Sequence, residues 1–241
     1  EKAASTDRDV VADNDPRLSA LFVNESQLVG IDEPIKKIVE RLLDERQPRL
    51  SLVGVVGAGG WGKTTIVKRA FESPQVTGGH FDCRAWITVS QVYHTEGLLR
   101  SMIKQLFSSV PEGLDKITER EKLVQMLRDH LKDKRYAIVF DDIWKIDAWK
   151  SLEDSIWQQN ELGSRIIITT RNEEVVQDCL SRIPGIIHKK EKLNEKYSWE
   201  LFCKRVFHEQ QTCPEELEDL SKAILQKCDG SPLAIVAIAA T

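Results

Sequence analysis

Apolar residues along this 241-residue chain fall into two recurring patterns. The first is a short continuous run of strand length, at 52–56 (LVGVV), 84–89 (RAWITV), 136–140 (YAIVF) and 165–169 (RIIIT), with a weaker run near Ile186 to His188. These runs lack polar alternation, which predicts strands covered on both faces. The second pattern has a helical period. Ile35, Ile38, Val39, Leu42 and Leu43 share one stripe behind Asp32 and an early Pro34. Leu99, Met102, Ile103, Leu106, Phe107 and Val110 form a second stripe, and Leu123, Met126, Leu127 and Leu131 a third. Strand and helix signals alternate, so the expected fold class is α/β, a parallel sheet with helices on both faces. After about residue 193 the strand-like runs stop. YSWELFCKRVF, PEELEDLSKAILQKC and PLAIVAIAA read as helices of a small second domain. The expected organisation is a polar linker over 1–27, broken by Pro16, a sheet domain over 28–193 and a helical subdomain over 194–241.

Composition narrows the function classes. With 41% hydrophobic and 30% charged residues, the chain can bury one large core or a core with a small satellite. A net charge of −4 provides no overall basic surface for counterion release, so nucleic acid is an unlikely partner on this reading. Cys83, Cys179, Cys203, Cys213 and Cys228 are odd in number, widely spaced and without histidines at ligand spacing, which reads as reduced core thiols in an intracellular protein. No apolar stretch approaches the roughly 20 residues that span a bilayer, and no secretory signal opens the chain, so the expected location is the cytoplasm. The chain begins at Glu1 rather than Met and stops inside LAIVAIAAT, which suggests a piece of something longer.

The most specific chemistry lies between the first strand and the helix after it. Gly57, Ala58, Gly59, Gly60, Trp61, Gly62, Lys63 and Thr64 fit G-x-x-x-x-G-K-[ST], in the strand-to-helix context that the motif requires. Glycines let the backbone wind so that successive N–H groups converge on phosphate oxygens at the positive end of a helix. Lys63 would then bridge the β and γ phosphates, and the Thr64 hydroxyl, followed by Thr65, would coordinate Mg²⁺. The bland alternative is a glycine turn with a solvated lysine. YAIVFDDIW supplies a second metal anchor, with Asp141 expected at the end of a buried strand and Asp142 as a candidate to orient or deprotonate an attacking water. In GSRIIITTRN, Arg171 follows a strand ending in Thr169 and Thr170. If that strand lies between the other two, as in the additional-strand P-loop ATPases, Arg171 emerges beside the γ-phosphate and can sense it. A surface arginine in a weak ion pair is the alternative. Trp144-Lys145-Ile146-Asp147 is a poor match to the guanine-binding N-K-x-D signature, which favours adenine.

Taken together, these motifs resemble the NB-ARC nucleotide-binding domain of plant intracellular immune receptors (NLR proteins), within the coiled-coil subclass. DPRLSALFVNESQLVGID is similar to the family's lead-in segment and GAGGWGKTT to its phosphate loop. FDCRAWITVSQ and the Trp closing FDDIW are similar to subclass signatures, GSRIIITTR to the sensor strand and CDGSPLAI to the G-L-P-L-A motif. The resemblance implies a P-loop NTPase of the STAND/AAA-like kind. It implies an adenine lined by Val29, Gly30 and Ile31, a phosphate loop of Gly57, Gly59, Gly60, Trp61, Gly62, Lys63, Thr64 and Thr65, and nucleotide contacts from Pro232 and Leu233. Ala58, Trp61, Ile31 and Ser231 depart from the commoner residues of the family; a ring at position 61 could screen the nucleotide or slow its exchange.

The resemblance further implies ADP or ATP with Mg²⁺ as cofactors. A coiled coil, a winged-helix subdomain and leucine-rich repeats would flank this piece in the whole protein, whose active state is a homo-oligomer. The function expected is a switch in which ADP holds a closed state and ATP an open one that signals defence. Moving such an equilibrium from 1:99 to 99:1 demands about 5.5 kcal/mol of differential affinity, more than one arginine supplies. Turnover is expected to be slow. A true ATPase or phosphotransferase, and a module holding nucleotide only structurally, are the competing readings.

Overall fold

The structure is a computed structural model that describes residues 28–156, 161–207 and 212–240. The linker expected over 1–27 lies outside the described residues. Helix α1 (Asp32–Leu42) precedes strand β1 (Ser51–Val56), which feeds through the glycine loop into α2 (Lys63–Phe71) and a single turn, α3 (Pro74–Thr77). Then follow β2 (Cys83–Thr88), α4 (Thr95–Leu106), α5 (Arg120–Leu131), β3 (Tyr136–Ile143), α6 (Ile146–Ile156), β4 (Arg165–Thr170), α7 (Glu173–Leu180) and β5 (Gly185–Lys189). The remaining helices are α8 (Glu195–Val206), α9 (Glu218–Cys228) and α10 (Pro232–Ala239).

Among the described residues the strands form one parallel sheet in the order β2-β3-β4-β1-β5. Strand β4 lies between β1 and β3, the placement that brings Arg171 toward the glycine loop. Side chains alternate along each central strand and so divide between two layers. Leu52, Val56, Ile138, Phe140, Ile166 and Ile168 pack with α4 to α7 on one face. Val53, Val55, Ala137, Val139 and Ile167 pack with α1 to α3 on the other. Continuous apolar runs are what such a doubly covered sheet requires. The outer strands are wetter: β5 has no fully buried residue, which accounts for its weaker signal in the sequence. On β1, Gly54 sits where a Cβ would run into the Val176 side chain, so its absence lets α7 close on the sheet.

Several expected boundaries shift. Helix α4 ends at Leu106, and Val110, placed on its stripe by periodicity, lies beyond the helix and is exposed. Phe107 caps that helix in extended conformation and stacks on His130 at 3.7 Å instead of continuing the turn. Val89 falls just outside β2, although its N–H still bonds the Asp141 carbonyl at 2.8 Å. Strand β3 runs past Asp141 to Ile143, so Asp141 lies within the strand rather than at its end.

The C-terminal helices build a separate small core from Leu201, Phe202, Cys228 and Ile235, which Val29 and Leu193 join from the sheet side. All five cysteines are free, and Cys179, Cys203 and Cys228 are buried. Burial pushes the Cys179 thiol up to about 12 and the Cys83 thiol up to about 11, so both stay protonated at neutral pH. Among the described residues no helix is long and apolar enough to cross a membrane.

Candidate functional site

The loop between β1 and α2 meets the ends of β3 and β4 at one edge of the sheet. Gly57 leaves β1 against its neighbours, its N–H donating to the Thr170 carbonyl at 3.3 Å. A Cβ there would strike the carbonyl oxygen of Lys190, just past the end of β5, so the close approach of that backbone admits only glycine. At the other end Gly62 takes φ +87 as N-cap of α2, with nothing near the position a Cβ would occupy. Here conformation alone demands glycine. No side chain caps α2, whereas Asn172, Asn194 and Ser231 cap α7, α8 and α10. Without such a cap the first N–H groups of α2 lie at the positive end of its helix dipole, as do those of α1, α4, α5 and α9, which no side chain caps either.

Lys63, 7% exposed, turns its ammonium back into the loop and donates to the carbonyls of Gly57 (2.8 Å) and Ala58 (3.0 Å). Burial lowers its pKa, and the carboxylates of Asp142 and Asp141 oppose that shift. On the first turn of α2, Thr64 donates to Asp141 Oδ1 at 2.9 Å, while Trp61 and Thr65 are half-buried.

The carboxylate is set by a break in the sheet. Phe140 pairs with Ile168 and Ile143 with Thr170, so Asp141 and Asp142 together oppose Thr169. This is a β-bulge, and Asp142 occupies it at φ +63, a conformation aspartate tolerates better than most side chains. Thr169 bridges both residues: its hydroxyl donates to Asp141 Oδ1 at 2.6 Å and accepts from the Asp142 N–H at 2.8 Å. Asp141 is 2% exposed, and burial raises its pKa against the two threonine hydrogen bonds. The Asp142 carboxylate instead lies 3.8 Å from Arg171 Nε, and the Arg171 guanidinium sits 4.4 Å from the centre of the Trp144 ring. A Cβ on Gly59 would come within 2.9 Å of Arg171 Nη1, so the guanidinium lies alongside the loop.

The residues expected to line a base are also close by. Gly30, at φ +61, is covered by Tyr197, whose ring carbons come within 2.9 Å of where its Cβ would be. Val29 packs into the helical core, and Ile31 packs beside α1 and α2, its carbonyl accepting from the Ile35 N–H at 2.9 Å. From the other side Pro232 opens α10, and the Leu233 N–H donates to the Gly60 carbonyl at 3.2 Å. Gly60, at φ +76, would carry a Cβ only 2.9 Å from that of Leu233. The helical segment thus touches the loop itself. A cavity of about 420 Å³ between α1 and β5, lined by Lys37, Arg41, Ile187 and His188 among others, contains none of these residues.

Among the described residues no group of three or more His, Cys, Asp or Glu could hold a metal unaided. Thr64 and Asp141 provide a hydroxyl and a carboxylate in contact, an oxygen pair that fits Mg²⁺, which keeps its waters and takes remaining ligands from phosphate. Two participants were not legible as such in the sequence. Thr169 acts across a bulge that no local pattern announces, and Tyr197 reaches Gly30 from a distant stretch of chain.

A glycine loop opening a helix, with a threonine against a buried strand aspartate in a sheet of this order, defines an α/β P-loop NTPase fold. A chain in the structure of Drosophila ORC bound to DNA has this fold, with a TM-score of 0.57 and 13% identity over 98% of this chain and 63% of that one. The Aeropyrum pernix ORC2 protein in its ADP form also has it, at 0.58 and 14%, covering 85% of this chain and 61% of that one. The family model of the NB-ARC domain matches residues 31–212, and the chain belongs to that family. It is 36% identical over 230 residues to the disease resistance protein RPM1 of Arabidopsis thaliana, covering 91% of this chain and 24% of that protein. With the Arabidopsis disease resistance protein RPP13 it shares 37% over 217 residues, 89% of this chain and 26% of that one. The chain spans about a quarter of the length of these curated relatives.

Proposed function

We propose that this domain binds an adenine nucleotide and serves as the ADP/ATP switch of a cytoplasmic plant immune receptor. The observation that carries the reading is the meeting of Lys63 and Thr64, on the first turn of α2, with Asp141 of β3, two distant parts of the chain brought together at the start of the helix. In this reading the loop amides and the α2 terminus hold the diphosphate. Lys63 exchanges its two carbonyl partners for phosphate oxygens. Thr64 and Asp141 hold Mg²⁺, which when bound draws charge from the β and γ phosphates. Val29, Gly30 and Ile31 face the base, and Pro232 and Leu233 close over the nucleotide from the helical segment.

Arg171 is the element that distinguishes the two nucleotides, because it lies along Gly59 and carries a charge that a γ-phosphate would attract. A shift in that arginine reaches the helical segment through the Gly60 to Leu233 hydrogen bond, a route by which phosphate occupancy alters the domain junction. Asp142 sits against Arg171 and is shielded from solvent, which suits slow hydrolysis better than rapid activation of water. Signalling and homo-oligomerisation belong to the whole receptor, with its coiled coil, winged-helix and leucine-rich-repeat parts.

The test is to identify the nucleotide released from the purified chain and to measure phosphate release at steady state. Tightly held ADP with turnover well below about 1 per second is expected; faster release would favour an ATPase or phosphotransferase. Lys63→Ala is expected to lose the nucleotide while far-UV circular dichroism stays unchanged, and retention at parental levels would refute the loop assignment. Arg171→Ala is expected to weaken ATP more than ADP, and equal losses would refute the sensor.

A further inference from the structure

Resting on the reading of Arg171 as the γ-phosphate sensor, we infer that Trp144 is its positioning residue, the indole face holding the guanidinium against the glycine loop so that ATP is favoured over ADP. The placement follows from strand register. Ile143 and Thr170 are paired as the last residues of β3 and β4, and Thr170 Oγ1 donates to the Ile143 carbonyl at 2.6 Å. The residues that leave the two strands next, Trp144 and Arg171, therefore emerge side by side. The guanidinium carbon lies 4.4 Å from the indole centroid, well inside the range of a cation–π contact.

Three surfaces confine this arginine: the Gly59 backbone, the Asp142 carboxylate at 3.8 Å and the Trp144 ring. Each contributes differently. Asp142 attracts the charge but would compete with a phosphate for it. Gly59 offers only room. Tryptophan holds the cation without competing for its N–H donors, so the guanidinium remains free to form hydrogen bonds to an arriving phosphate. Trp144 Nε1 is buried and bonds to no described atom, so what this side chain offers its neighbour is its face. Arg171 is about half exposed, and without the ring its long chain would sample many rotamers; holding one in advance lowers the ordering cost when phosphate binds.

The experiment measures the affinities of the nucleotide-stripped chain for Mg²⁺ with ADP and with a non-hydrolysable ATP analogue, by calorimetry. Trp144→Leu, which keeps apolar bulk without a π face, is expected to weaken the ATP analogue about 3-fold while leaving ADP unchanged. Trp144→Phe should restore most of that loss. In an Arg171→Ala background Trp144→Leu should have no further effect on the ratio of the two affinities. Should Trp144→Leu fail to fold, Trp144→Met, which refills the space flexibly, takes its place. Equal losses for both nucleotides, a tighter ATP analogue, or an effect that persists without Arg171 would overturn the assignment. An unchanged ratio in Arg171→Ala alone would overturn the sensor and this inference together, whereas a shifted ratio there with a silent Trp144→Leu would overturn only the role of the tryptophan.

Discussion

Replacing Thr169 by valine isolates the bulge that presents the two aspartates. Valine keeps the branched shape on β4 and removes only the hydroxyl, so no cavity opens. Two buried groups lose a partner at once. The Asp142 N–H loses an acceptor at 2.8 Å, a cost of about 1–3 kcal/mol, and the Asp141 carboxylate loses a donor at 2.6 Å, about 1.5–3 kcal/mol for a charged group. The two bonds share one hydroxyl and do not add in full, so the net expected loss is about 3 kcal/mol. For a chain of this size that corresponds to a fall of roughly 6–12 °C in Tm. Urea denaturation of the nucleotide-free chain followed by circular dichroism gives the free energy, and Mg²⁺ titration at fixed ADP reads out the site. Valine should also weaken the enhancement of ADP binding by Mg²⁺, because Thr169 helps hold the Asp141 carboxylate. A double-mutant cycle with Asp141→Asn should return a coupling of at least about 1 kcal/mol. A loss below about 1 kcal/mol, or additivity in that cycle, would mean the hydroxyl does not organise the bulge.

Two further outcomes follow from buried charge. Burial raises the Asp141 pKa, so the folded chain holds that proton to higher pH than the unfolded chain does, and the associated stability, present at acid pH, is lost as pH rises through the folded value. Asp141→Asn should therefore stabilise the nucleotide-free chain more at about pH 8 than near pH 4, in paired thermal melts, while abolishing the Mg²⁺ enhancement; a pH-independent difference would refute the burial argument. Arg165, 1% exposed, donates to the carbonyls of Arg41, Asp44, Gln47, Arg49 and Ser164, tying the end of α1 and the segment before β1 to β4. Arg165→Met should lower stability by about 3 kcal/mol in urea denaturation and leave nucleotide affinity nearly unchanged.

The sequence alone determined the sheet and the loop, because both are local or periodic. Doubly covered strands must be continuously apolar, and a backbone that wraps phosphate must be rich in glycine, so LVGVV and GAGGWGKT announce themselves within a few residues. The boundaries that slipped did so where tertiary contacts override periodicity, as when Phe107 turns aside to stack on His130 and leaves Val110 in solvent. What only the tertiary structure decided depends on register between segments far apart in the chain. The offset of one residue between β3 and β4 aims Asp141 at Thr64 and Asp142 at Arg171, and it sets Trp144 beside the arginine. A bulge is a choice between two pairings of the same residues, and neither strand carries it by itself. The same holds for Tyr197 over Gly30 and Leu233 on Gly60, contacts created only when the helical segment docks on the loop.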